Sequence, residues 1–86
     1  MSWESSAQFL AVKLLKEKIE AGEIFSSWPF KQELRVGVGD KEEVSQVNVS
    51  KFLQNWWSLS GEEDGYKRVL KTTRDGSEYF EYSPIS

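Results

Sequence analysis

The stretch DKEEVSQVNVSKFLQNWW, residues 40–57, decides the fold. Asp40 followed three residues on by Glu43 has the form of a capping box and opens a short helix through about Gln46. VNVS breaks that helix, and Asn48 or Ser50 caps a second one ending near Gly61. Two helices joined by a turn are expected here, rather than one amphipathic helix that ends on two tryptophans.

On a helical wheel drawn from Val49, the apolar residues Val49, Phe52, Leu53, Trp56, Trp57 and Leu59 share one side. That side belongs to the core, and the tryptophan pair with it. Ser50, Lys51, Gln54, Asn55 and Ser58 share the other side. This polar side carries one positive charge and otherwise only amides and hydroxyls. No acidic residue occurs between Glu43 and Glu62, in a chain with 14 carboxylates. Gln and Asn can bond bidentately to adenine edges, and Ser and Lys suit phosphate or guanine. A solvated helix face chosen for solubility alone would usually include Glu.

Upstream, a helix over about Trp3–Ala21 stops at Gly22, where a left-handed residue ends helices. Trp3, Ala7, Leu10, Ala11, Val12, Leu14, Leu15 and Ile19 cover about half its circumference, more than the ~100° a surface helix needs. Phe9 lies off that arc. Two readings fit: a central helix packed from two sides, or one that also forms a homodimer interface through helix 3–21. Residues 23–33 read as irregular, with Pro29 excluding a central strand. Leu34, Val36 and Val38 alternate with Arg35 and Gly37, which predicts a short strand ending at Gly39.

Beyond the acidic segment 61–65, YKRVLKTT and SEYFEYS read as two strands, and Asp75-Gly76 between them is a strong hairpin signal. Lys67, Arg68, Lys71, Thr72, Thr73 and Arg74 make the first strand and tip basic. Asp75, Glu78 and Glu81 follow, so ordinary cross-strand charge pairing competes with a binding role. The predicted order is helix, strand, helix, helix, strand, turn, strand, in a single domain spanning residues 1–86.

KEEVSQVNVSKFLQNW resembles the helix-turn-helix core of bacterial-type transcriptional regulators, in which an NVSK-like segment starts the recognition helix. Together with the element order and the TTRDGSEYFEY hairpin, it resembles the winged-helix variant, and LKEKIEAGEI is similar to the opening of GntR-type regulators. The resemblance implies a small α+β winged-helix domain that binds duplex DNA as a regulator of transcription, recombination or replication. Helix 50–60 would lie in the major groove, carrying Ser50, Lys51, Gln54, Asn55 and Ser58. The 66–82 hairpin would be the wing, touching the DNA backbone or minor groove through Lys71, Thr72, Thr73 and Arg74.

Composition bounds the alternatives. With 86 residues the chain can bury about 60% of its unfolded surface. It has no cysteine and no histidine, which excludes disulfides, thiolate zinc sites, His-ligated metals and Ser-His or Cys-His catalysis. RVGVGDK lacks the Lys-Ser/Thr of a phosphate loop, and GEEDG lacks calcium-loop spacing. No enzymatic activity and no cofactor are expected. No secretory signal or membrane-spanning run is visible, so the default is a cytoplasmic protein, or a nuclear one in a eukaryote. The start at Met1 and the SPIS ending suggest an entire small protein.

A net charge of −3 weighs against nucleic acid, since phosphate binding rewards basic surfaces. Two rival expectations follow. One is a winged helix that docks a protein partner through an acidic surface. The other is single-strand binding by stacking on Trp57 or Tyr79. The position of Glu42, Glu62 and Glu78 separates duplex from protein: carboxylates crowding the 50–58 face favour a protein partner.

Overall fold

The computed structural model describes residues 5–39 and 44–85. It is an α+β arrangement of three helices and a three-stranded antiparallel sheet. In chain order the elements are α1 (Ser5–Ala21), β1 (Phe25–Ser26), α2 (Ser27–Val38), α3 (Gln46–Trp56, continued by a π-helical turn Trp57–Gly61), β2 (Tyr66–Thr72) and β3 (Glu78–Pro84). The strand order is β1-β3-β2. Among the described residues no helix is long and apolar enough to cross a membrane.

The first helix ends as its glycine predicts. Gly22 sits at φ 66, its N–H bonds to the Ile19 carbonyl and that of Glu23 to the Lys18 carbonyl. Those two bonds form a Schellman motif and satisfy carbonyls that the helix end would leave free. The chain then reverses into β1, a two-residue strand that pairs Phe25 with Tyr82 and Ser26 with Glu81.

Of residues 23–33 only Glu23 and Ile24 are irregular, and residues 34–38 are not a strand. Both segments contribute to α2. Pro29 is tolerated because it lies in the first turn, where a backbone N–H has no intrahelical acceptor to lose. Phe30 and Leu34 are buried four residues apart and Val38 packs against the same core, whereas Val36 is 85% exposed. Helical spacing therefore overrides the local Leu-Val-Val alternation: a strand would put Val36 on the side of Leu34 and Val38, whereas the 3.6-residue period turns it out to solvent.

The opening stretch is also revised. Asp40–Glu43 lie outside the described residues, so the expected capping box is not among them. Gln46 is the first residue of α3, and α3 runs through VNVS without a break. Its cap is Ser45, whose Oγ accepts from the N–H groups of Val47 (3.2 Å) and Asn48 (3.4 Å). Val49, Leu53 and Trp56 are all buried at helical spacing, and this burial outweighs the modest helix propensity of Val and Asn. Leu59, expected in the core, is 74% exposed. The π-helical turn advances fewer degrees per residue than an α-helix and rotates Leu59 off the apolar side.

The core is aromatic. Phe25 is its centre, with ring centroids 5.4 Å from Tyr66, 5.5 Å from Tyr82, 5.7 Å from Trp56 and 6.2 Å from Phe30. Two polar groups at its edge are paired: Trp56 Nε1 donates to Asp64 Oδ2 at 2.8 Å, and the Tyr66 hydroxyl donates toward the Glu23 carbonyl at 2.7 Å. Lys18 is 5% exposed and holds Glu33 at 2.6 Å and Glu23 at 3.3 Å, which clamps α1 to α2 and to the turn before β1. Burial pulls the Lys18 pKa down, but the two carboxylates outweigh it and leave it above 10.5.

The hairpin forms where expected. Thr73 N–H bonds to the Ser77 carbonyl, Gly76 N–H bonds to the Thr73 carbonyl, and Gly76 takes φ 91. This is a three-residue loop closed by a left-handed glycine.

Candidate nucleic-acid interface

The five α3 residues of the expected face divide into two groups. Lys51, Gln54, Asn55 and Ser58 are exposed and turned outward, and no carboxylate stands on α3. Ser50 is half-buried. It accepts a long hydrogen bond from Gln46 Nε2 (3.5 Å), whose main acceptor is Ser27 Oγ at 2.9 Å. Those bonds tie the start of α3 to the start of α2. Val47, also exposed, joins the outer face and extends it by a turn toward the helix N-terminus.

The hairpin residues separate by strand register. Tyr66, Arg68, Leu70 and Thr72 lie opposite Pro84, Tyr82, Phe80 and Glu78, and buried Tyr66 and Tyr82 place this set on the helix-facing side of the sheet. Lys67, Val69 and Lys71 alternate onto the reverse side. There Lys71 Nζ approaches Glu81 Oε1 at 3.9 Å. Thr72 faces Glu78 on the last rung. The Thr73 hydroxyl donates to Asp75 and also accepts from Ser77 N–H, so Thr73 shapes the turn. These bonds and the Ser77 N–H hold the Asp75 carboxyl below the usual carboxylate range. Arg74 is exposed at the tip.

Ser50, Gln54 and Thr73 are brought together. They line an open groove of about 830 Å³ between the start of α2, one side of α3 and the hairpin. Trp28, Leu70 and Phe80 give it apolar walls, and Asp75 and Glu78 add carboxylates on the hairpin side. Lys51, Asn55, Ser58, Lys71, Thr72 and Arg74 are not among the residues of this groove. Among the described residues, α3 itself carries no carboxylate on its outer face, and the surface is mixed where α3 meets the hairpin.

Three contributors were not singled out from sequence. Trp28, 59% exposed, was hidden because residues 23–33 read as a loop. Gln46 was assigned to a different helix. Arg68 was counted as hairpin charge, yet its period-two relation to Tyr66 was the available signal for the helix-facing side. Its guanidinium carbon lies 4.4 Å from the Trp57 ring centroid and 4.1 Å from that of Phe80. No protein-family model, curated protein or solved structure matches the chain.

Proposed function

We propose that the chain is a winged-helix domain that binds duplex DNA, as a small regulator of transcription, recombination or replication. The observation that carries this reading is the outer face of α3, where Lys51, Gln54, Asn55 and Ser58 are exposed together without a carboxylate. The hairpin of the β1-β3-β2 sheet supports it, because it bounds one groove together with α3 in the manner of a wing. In this reading α3 enters the major groove, Gln54 and Asn55 meet base edges, and Lys51 and Arg74 meet phosphates. Lys71 contributes less, since Glu81 offsets it.

Two phosphate-binding cations per chain give a salt slope of only about −2, so affinity is modest for one chain. A homodimer would double the contacts, and Val12, on the apolar arc of α1 expected to form it, is exposed. Anisotropy titration of a labelled duplex at low salt tests the reading. Binding that weakens linearly in log salt is expected; no binding at high micromolar protein counts against it.

A specific observation favours a second reading. Trp28, Leu70 and Phe80 give the groove the exposed aromatic and apolar lining that suits a protein partner, and Glu78 and Asp75 beside them repel phosphate. Under that reading the groove is used and the outer face of α3 is not.

A further inference from the structure

Four features converge on Arg68. Its guanidinium is sandwiched between the rings of Trp57 and Phe80. Trp57 occupies the first position of the π-helical turn, a distortion uncommon in helices and frequent at functional sites. Gly61 closes that turn against Trp57. A Cβ added to Gly61 would collide with Trp57 Cδ1 and Cγ, so only glycine leaves the indole where it stacks on Arg68. Trp57 Nε1 is buried with no acceptor among the described residues, so the ring is not placed there by its own hydrogen bond.

A stacked guanidinium still presents its N–H groups at its edge, and it is weakly hydrated, so it gives up water to an oxyanion at low cost. Stacking between two rings also removes side-chain freedom before any ligand arrives, which lowers the entropy cost of binding. Arg68 remains exposed, and among the described residues it has no carboxylate within ion-pair distance: the pairs are Lys18 with Glu23 and Glu33, and Lys71 with Glu81. It lies on the helix-facing side of the hairpin, beside Leu70 and Phe80 of the groove that Gln54 also lines.

We propose that Arg68 is a preorganised phosphate anchor, gripping the backbone of the duplex whose bases α3 reads. This assignment rests on the duplex reading above and adds a third cation, one held in place before binding. Planarity matters to it. Lysine in its place would keep the charge and lose both the stack and the bidentate edge.

The test compares wild type, Arg68→Gln, Arg68→Lys and Lys51→Gln for binding of a mixed-sequence duplex between 50 and about 300 mM NaCl, with thermal melts alongside. Arg68→Gln should lower the magnitude of the log–log salt slope by about 0.9 and weaken binding about eightfold at 0.1 M salt. Arg68→Lys should keep the slope and recover only part of the affinity. A wild-type slope retained in Arg68→Gln while Lys51→Gln lowers it would overturn the anchor and leave the duplex reading standing. Any loss of melting temperature would then mark Arg68 as a packing residue. Absence of wild-type duplex binding overturns both.

Discussion

Lys71 and Glu81 lie on the reverse side of the hairpin with Nζ and Oε1 3.9 Å apart, so a cation that sequence places in the wing is partly neutralised and turned from the helices. Lys51, on the outer face of α3, has no such partner among the described residues. Lys51→Gln should therefore weaken duplex binding several-fold and reduce the salt slope by about one. Lys71→Gln should change affinity less than twofold, because its side chain stands on the reverse side of the hairpin, away from α3. Parallel anisotropy titrations read both, and a larger effect at Lys71 than at Lys51 would contradict the assigned surface.

Glu78 separates the two functional readings. It shares the groove with Gln54, so Glu78→Gln removes a like charge from beside the phosphates that the duplex reading brings there. Duplex affinity should rise, by roughly two- to fivefold for a repulsion of about 0.5–1 kcal/mol. The same substitution leaving duplex affinity unchanged would place the nucleic acid elsewhere.

Gly61→Ala should destabilise the fold by about 1–3 kcal/mol, the usual cost of forcing an atom into a packed site. The collision is with the Trp57 ring, so near-ultraviolet circular dichroism should change as well. A neutral outcome in urea denaturation would mean that Trp57 finds another position at no cost.

High pH should destabilise the protein once it begins to charge tyrosine and uncharge lysine in the unfolded chain, while the folded groups still resist. Burial pushes the Tyr66 and Tyr82 hydroxyls above 10.0, and the Glu33 and Glu23 carboxylates hold Lys18 above 10.5. All three folded pKa values are raised. Their contribution is thus complete below about pH 10 and is lost as pH rises through the folded values. Urea midpoints flat from pH 7 to about 9 and falling above 10 are expected. Tyr66→Phe, which removes the hydroxyl bonded toward the Glu23 carbonyl, should cost about 1–2 kcal/mol at neutral pH.

Local chemistry made part of this fold readable in sequence. Gly22 marked the end of α1, Asp75-Gly76 marked the hairpin turn, and the separation of Leu53 and Trp56 from Lys51 and Asn55 identified the two sides of α3. Each rests on a short-range rule. The errors arose where a tertiary contact decided. Leu34, Val36 and Val38 alternate like a strand, and tertiary contacts such as Phe30 against Phe52, with ring centroids 6.1 Å apart, and Lys18 against Glu33 belong to the helix instead. The expected element order matches the observed one although its first strand and second helix were drawn on other segments: the strand is Phe25–Ser26 and the helix is Ser27–Val38. A two-residue strand has no periodicity to detect. Within the candidate site, α3 was legible because side-chain sidedness follows from helical period. The neutralisation of Lys71 and the sandwich around Arg68 depend on register and on rings brought from other elements, which no local pattern encodes.

The central claim is that the outer face of α3 meets the duplex, and amide chemical-shift mapping of the labelled protein tests it most directly. Titration with a mixed-sequence duplex at low salt should move the signals of Lys51, Gln54, Asn55, Ser58 and Arg74 most and leave Lys13, Lys16 and Glu20 on α1 unmoved. Shifts centred on α1, or no shifts with duplex in excess, would contradict it.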